Sequence, residues 1–327
     1  MKRIVGYRHF CNKLWNAVKF GLSYFDPSFQ PKGIHAVLFS ATHRLEFEDE
    51  WILSKLSSCA TKVNSAMESR SFFDATNAIY SFWLYDFCDY YLELVKPRMK
   101  AGASGEVAKE VLFICIDWGL RLLHPMMPFV TEELYQRLPH HAFESICIAD
   151  FPQGVVGWNN CRIEDQMETL KTVICGFRSS MAQLGMKPNA RPKGYVFCAN
   201  SDDAKLLAKV SHHVVTLAKL DCVEVLSDGT KPTTDTCVVS VLNERTTIYV
   251  DAAGLVDFKA EVEKLLKKRG LLAKALEGLD KKMSIPGYEE KVPVEVRQGN
   301  QEKLEDMKSQ MTEMDSAIAM LKKAGGL

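Results

Sequence analysis

Closely spaced cysteines, net charge and long apolar runs are what this 327-residue sequence does without. Its ten cysteines come no nearer to one another than the fourteen residues separating Cys147 from Cys161 and Cys161 from Cys175. There is no C-x-x-C pair, and no cysteine stands three or four residues from a histidine on an evident helix face. Zinc ribbons and dithiol redox motifs are thereby excluded. Scattered thiols in a chain of this length suit reduced core residues, so a cytoplasmic setting is expected. The clean apolar run Val111–Ile116 is far short of the ~18 residues that a membrane span needs, and no membrane partner is expected. Lys2, Arg3 and Arg8 are not followed by the apolar stretch of a secretory leader.

Motifs of catalysis are missing too. No P-loop, G-x-G-x-x-G, H-E-x-x-H or G-x-S-x-G occurs, so neither catalytic residues nor a metal or cofactor site is expected within the chain.

What is present is ordinary globular material, 47% hydrophobic and 25% charged. That is enough apolar surface for a core, and the length suggests two domains or slightly more. The 41 basic and 41 acidic residues cancel, but they are not evenly spread. Residues 1–25 carry Lys2, Arg3, Arg8, Lys13 and Lys19 with no acid. Residues 169–201 carry Lys171, Arg178, Lys187, Arg191 and Lys193, and residues 264–276 carry Lys264, Lys267, Lys268, Arg269 and Lys274, again with no acid. Any one such island reads more readily as a solvated helix face. Three in a neutral chain suit an extended polyanion, because each phosphate neutralised releases counterions.

The fold class expected is mainly α, in three parts: a helical bundle over 1–150, a small α+β module over 151–252 and a coiled-coil hairpin over 253–327. In the first part, Phe72, Ala75, Ile79, Phe82, Phe87, Tyr90 and Leu94 recur at three- to five-residue steps, and Pro97 closes the segment. So many rings on more than one face read as core packing of a bundle helix rather than a base-stacking platform. A further helix is expected over 106–123, with Val107, Val111, Ile114, Trp118 and Leu122 inward, and another from Pro128 to Leu138. His124 reads as a capping or packed histidine, since no partnered acid or nucleophile is evident.

From about Glu164 a helix leads through a proline-rich stretch into a strand at Tyr195–Cys198. A helix over Asp202–Lys219 and strands at Cys222–Leu226, Cys237–Leu242 and Thr246–Val250 follow. In the last part, Leu255, Phe258, Val262, Leu265, Arg269, Leu272, Leu276, Leu279 and Met283 alternate steps of three and four. After Pro286-Gly287 and Pro293 the pattern returns in Leu304, Met307, Met311, Met314, Ile318 and Leu321. Two heptad helices joined by a proline-containing loop make an antiparallel coiled-coil hairpin. Arg269 falls on an inward position, where it either sets the pairing register or snorkels outward.

The stretch Tyr7-Arg8-His9-Phe10-Cys11-Asn12-Lys13-Leu14-Trp15-Asn16-Ala17 resembles the opening of the anticodon-binding bundle of valyl-tRNA synthetases, which belong to class Ia. Arg121-Leu122-Leu123-His124-Pro125-Met126-Met127-Pro128-Phe129-Val130-Thr131-Glu132-Glu133-Leu134 resembles a later stretch, shared in part with the isoleucine and leucine enzymes. Gly254-Leu255-Val256-Asp257 before the hairpin and Pro286-Gly287-Tyr288 at its turn are similar to the C-terminal arm of the valine family. Lys281-Lys282-Met283-Ser284 looks like the start of a K-M-S-K-S loop, but Ile285-Pro286 follows and Met283 occupies a heptad core position. Gly33-Ile34-His35 is not H-I-G-H. The resemblance implies that the catalytic and editing domains lie outside this sequence, with the ATP and magnesium that the complete ligases use.

It also implies tRNA as the partner, valine-specific, and not DNA; other synthetase or translation proteins are a further expectation. In the bundle, Lys13, Asn16 and Lys19 share one helix face, suiting contacts to phosphates and to a base edge of the anticodon loop. For Asn16 a helix–helix hydrogen bond fits as well. Trp15 and Phe20 read as core. In the arm, Lys264, Lys267, Lys268 and Lys274 flank the seam and suit phosphates at the outer corner of the tRNA. Arg178, Lys187, Arg191 and Lys193 are further candidates for phosphate contacts. A different class of function is a synthetase-derived scaffold or regulatory protein that binds other proteins through the coiled coil and has no salt-dependent affinity for tRNA.

Overall fold

The structure, a computed structural model, describes residues 2–26, 28–32, 45–99, 102–226, 237–255, 258–283 and 294–325. The Gly33-Ile34-His35 stretch and the Pro286-Gly287-Tyr288 segment, expected as the hairpin's turn, lie outside the described residues. The chain divides into two compact units, residues 1–169 and 170–327.

The first unit is helical. Helix α1 (Lys2–Leu22) buries Phe10, Leu14, Ala17 and Val18, the steps of three and four that make one stripe. Helix α2 (Phe47–Glu68) opens with the acids Glu48, Asp49 and Glu50 in its first turn, where backbone N–H groups lack partners. The Asp49 carboxylate accepts from the Glu46 N–H at 3.1 Å, closing that end. Helix α3 (Phe72–Ser81) runs on into a π-helical segment (Phe82–Tyr91) and a last turn, α4 (Leu92–Val95).

The π segment changes which residues face inward. Of the residues expected inward, Tyr90 within it is only half-buried; Phe72, at the first position of α3 and ahead of the π segment, is 59% exposed. Phe87 keeps its expected core place, and Trp83 and Tyr91 join it there. The wider turn brings i and i+5 together, and Phe82 and Phe87 stack at 6.1 Å between ring centroids. Trp83 meets Phe87 edge-on at 5.2 Å and its Nε1–H donates to the Gly119 carbonyl at 3.2 Å.

Gly119 belongs to α5 (Gly102–Leu123), whose every residue from Val111 to Ile116 is buried, as a helix at the centre of a bundle must be. Its inward residues Val107, Val111, Ile114, Trp118 and Leu122 are the expected ones. Helix α6 (Pro128–Tyr135) starts on Pro128, whose missing N–H costs nothing at a first helical turn.

One buried ionic cluster ties this unit together. Arg98 holds Glu48 at 2.5 Å and Asp49 at 2.9 Å, and its Nε donates to Ser104 Oγ at 2.9 Å. Burial raises the Asp49 carboxyl to about 6, against the pull of Arg98 in the other direction. Burial lowers the Arg98 guanidinium, but the two carboxylates outweigh it and keep the group charged.

Helix α7 (Cys161–Gln183) carries Leu170, Ile174 and Phe177 into the core of the second unit. A four-stranded sheet follows in the order β2-β1-β4-β3, with β1 (Lys193–Cys198), β2 (Cys222–Leu226), β3 (Cys237–Asn243) and β4 (Thr246–Asp251). Strands β1 and β2 are parallel, with Val196 opposite Val225, so their connection must cross over. It does so through α8 (Ser201–Lys209) and α9 (Ser211–Ala218). The single helix expected there is two, because Val210, whose side chain is buried, leaves helical geometry at φ −105° and ψ 22°. Strands β4 and β1 pair antiparallel, as do β3 and β4.

Helices α10 (Phe258–Met283) and α11 (Val294–Gly325) pack against each other as a hairpin. Val262, Leu304 and Ile318 are buried between them, while Leu265, Leu272, Leu276, Met307, Met311 and Met314 are partly covered. Leu255, expected as the first inward position, is instead 39% exposed, because it lies in a turn before α10 begins at Phe258; the other heptad positions whose side chains are described are buried or partly covered, and Leu321 is outside that set. Among the described residues, no helix is long and apolar enough to cross a membrane.

Candidate nucleic-acid interface

The first basic island lies along α1. Asn16 and Lys19 are exposed on its outer face, away from Leu14, Ala17 and Val18. Lys13 shares that side, but its ammonium is engaged with Asp89 of the π segment at 2.5 Å. The expectation that Trp15 is core does not hold. It is 38% exposed, and the Arg137 guanidinium stands 5.4 Å from its ring centroid. Trp15 lies one residue past buried Leu14, so the helix turns it out of the stripe, and a cation over its face replaces an apolar neighbour. Phe20 is half-buried beneath the Lys96 ammonium at 5.6 Å. The outer face of α1 therefore presents an amide, two lysines and a ring capped by a guanidinium, the groups that engage phosphates, base edges and base faces. Periodicity could not show the Trp15–Arg137 pair, whose members are far apart in sequence.

Elsewhere on this unit a polar cleft of about 640 Å³ opens between α2 and α3. Lys55 and Lys62 face Asp74 and Asp86 in it, so it lacks the single sign of charge that would favour a polyanion.

The second island divides. Arg178 directs Nε and a terminal nitrogen to the Leu217 carbonyl, at 3.0 and 2.8 Å, and so satisfies the C-terminal end of α9. Lys187, Arg191 and Lys193 are exposed in the segment that enters β1. The third island lies on α10, where Lys267, Lys268 and Lys274 are exposed outside the apolar seam; the side chain of Lys264 lies outside the described residues. Arg269, between them, pairs with Asp315 of α11 at 2.5 Å. Among the described residues, no three His, Cys, Asp or Glu side chains cluster as a metal site would need. None of the ten cysteines is joined in a disulfide.

Two family models match the chain in succession. Residues 49–196 match the anticodon-binding domain of tRNA ligases, and residues 257–322 match the valyl-tRNA synthetase tRNA-binding arm. The chain carries the anticodon-binding domain and the arm of the valyl-tRNA synthetases. It is 36% identical over 333 residues to the valine–tRNA ligase of Rattus norvegicus, in a match covering 99% of this chain and 26% of that protein. It is 37% identical over 313 residues to the valine–tRNA ligase, mitochondrial 1, of Arabidopsis thaliana, covering 92% of this chain and 28% of the relative. The valine–tRNA ligase of Aquifex aeolicus is 31% identical over 334 residues, with 98% of this chain and 28% of the relative covered. The chain thus spans about a quarter of the length of these valyl-tRNA synthetases.

Proposed function

We propose that this chain is the tRNA-holding part of a valine–tRNA ligase, the enzyme that attaches valine to its tRNA at the expense of ATP. The observation that carries the reading is the succession of an anticodon-binding domain and a valine-family arm along one chain. In this reading Lys13, Asn16 and Lys19 of α1 engage the anticodon loop. Lys264, Lys267, Lys268 and Lys274 of α10 hold phosphates at the outer corner of the tRNA. Lys187, Arg191 and Lys193 add phosphate contacts, and Arg178 adds one through whatever donor Leu217 leaves unused. ATP and magnesium belong to the ligase as a whole and are not bound by these residues.

A cytoplasmic location belongs to the same proposal. It is supported by ten cysteines without a disulfide among them, which suit a reducing compartment, and cell fractionation that finds the protein in mitochondria would replace it. Association with other synthetase or translation proteins is proposed only for the hairpin, whose exposed Leu266 and Leu271 offer apolar contact.

Filter binding of the purified chain to valine tRNA, repeated across a salt series, tests the reading. Binding in the micromolar range is expected, with log affinity falling linearly as log salt rises. Affinity that ignores salt, or that is equal for a tRNA with a foreign anticodon, would overturn it and favour the scaffold alternative.

A further inference from the structure

His124 and Cys147, twenty-three residues apart, meet at the surface of the first unit, outside the three basic islands. His124 Nε2 lies 3.2 Å from Cys147 Sγ, and its Nδ1 lies 2.7 Å from Thr131 Oγ1. The sequence alone shows His124 no nucleophile; the fold brings it one.

The roles of the two ring nitrogens follow from the hydroxyl. Thr131 is fully buried, and its single hydroxyl proton is directed at backbone carbonyls, Met127 at 2.9 Å and Pro128 at 3.2 Å. Towards His124 its oxygen has only a lone pair to offer, so Nδ1 carries the proton and donates. In the neutral ring Nε2 is then the acceptor, and it faces the thiol. This is the arrangement of an activated nucleophile: a thiol on a base, with the base oriented by a third group.

Further contacts hold the pair in place. The Cys147 N–H donates to Ser145 Oγ at 3.1 Å, and the Ser145 hydroxyl donates to Glu132 at 2.8 Å. Burial raises the Glu132 carboxyl, but hydrogen bonds from Gln136, Ser145 and the Ile146 N–H, with the nearby His124 ring, bring it below its ordinary range. A carboxylate in that place stabilises the imidazolium that forms when the thiol gives up its proton. Cys147 itself is exposed, so a solute can reach the sulfur.

We propose that Cys147 is a modification site, a thiol activated by His124 that exchanges with small disulfides of the glutathione type. As Sγ attacks one sulfur of glutathione disulfide, His124 Nε2 takes the thiol proton. The Sγ–S bond forms, the disulfide bond of the reagent breaks, and the departing thiolate takes the proton from the imidazolium to leave as glutathione. One mixed disulfide and one free thiol result, with no other oxidant.

The experiment uses the full chain and glutathione disulfide near neutral pH, with timed quenching by acid and mass spectrometry of each cysteine-containing peptide. The internal reference is Cys222, an exposed thiol of β2 with no histidine partner among the described residues. Cys147 is expected to react about tenfold or more faster than Cys222, a part of the 10²–10⁴ that a positioned base contributes. His124→Gln should bring Cys147 down to the Cys222 rate while leaving Cys222 unchanged. Thr131→Val, which frees the ring to turn, should fall between. Equal rates at Cys147 and Cys222 in the unsubstituted chain would overturn the proposal without any variant having to fold. So would His124→Gln reacting at the original rate.

Discussion

Arg269 of α10 and Asp315 of α11 grip each other across the hairpin through two parallel hydrogen bonds, Nε to Oδ1 at 2.5 Å and a terminal nitrogen to Oδ2 at 3.1 Å. The guanidinium occupies a position where the heptad pattern calls for an apolar side chain. A two-pronged contact can be made in one alignment of the helices, so the pair specifies register where a run of leucines and methionines would tolerate a slip. Asp315 is held below its ordinary range chiefly by the hydrogen bond from Arg269. A depressed carboxyl contributes its stability above the ordinary pKa and loses it as pH falls through the lower folded value. Arg269→Asp should lower the melting temperature of the hairpin by placing two carboxylates face to face. The double reversal Arg269→Asp with Asp315→Arg should restore most of it. Circular dichroism melts of the full chain in low and high salt check this; equal melting of the single and double variants would show that the pair does not set register.

The close approach of Trp83 to Gly119 makes a second prediction. A Cβ on Gly119 would lie 2.6 Å from Trp83 Cζ2, in a ring that is fully buried and hydrogen-bonded to the same residue's carbonyl. Gly119→Ala should therefore destabilise the first unit by about 1–3 kcal/mol, the usual cost of overpacking. Gly270→Ala, where the added methyl meets nothing within 4 Å, should stabilise its helix by about 0.5–1 kcal/mol. Urea titration followed by tryptophan fluorescence and far-ultraviolet dichroism reads both. A Gly119→Ala chain as stable as the parent would mean that the indole has room to move.

These two sites mark how far the sequence could be read. The hairpin seam was legible in Val262, Leu304 and Ile318 because a heptad repeat sustained over many turns has one solution. The strands were legible to within two residues, being short β-branched runs between turn residues. The π segment was not, because its wider turn breaks the period from which faces are deduced, and it put Tyr91 where Tyr90 was expected. Trp15 was misjudged because its partner, Arg137, comes from another helix. The same holds for His124 with Cys147, Lys13 with Asp89 and Arg98 with Glu48: no spacing rule joins residues that only the tertiary fold brings together.

The Arg98 cluster gives the third prediction. Asp49 has no exposed surface and Glu48 almost none, so removing the guanidinium strands two carboxylates. Arg98→Met should cost about 3–5 kcal/mol, as loss of one partner from a buried ion pair does. The pH dependence has a definite sign. The folded Asp49 carboxyl sits near 6 against an ordinary 3.8, so the folded state binds its proton more tightly than the unfolded chain does. Its contribution is therefore complete below the ordinary value and is lost as pH rises towards 6. Asp49→Asn should flatten that slope and leave the rest of the pH profile in place. Denaturation midpoints measured at intervals between pH 4 and 7 decide it; a slope unchanged by Asp49→Asn would assign it to another carboxyl, with Glu110 and Asp117, also raised by burial, the next to test.

The last prediction concerns how the proposed interface divides its labour. If the lysines of α10 hold phosphates and the outer face of α1 meets bases, substitutions in the two places should act differently. Replacing Lys264, Lys267 and Lys268 with alanine should weaken binding to every tRNA by a similar factor and flatten the salt slope by about one unit for each phosphate no longer neutralised. Lys267 and Lys268 lie outside the apolar seam, so the helicity of the hairpin should hold. Replacing Asn16 and Lys19 should instead erode the preference for a valine anticodon, at roughly 1–3 kcal/mol for each base left unread, by analogy with base readout in duplexes. Lys13→Ala is expected to do less than Lys19→Ala, because its ammonium is already engaged by Asp89. Both sets are measured against valine tRNA and the same tRNA with its anticodon exchanged. A hairpin variant that loses discrimination, beside an α1 variant that loses only overall affinity, would reverse the two roles.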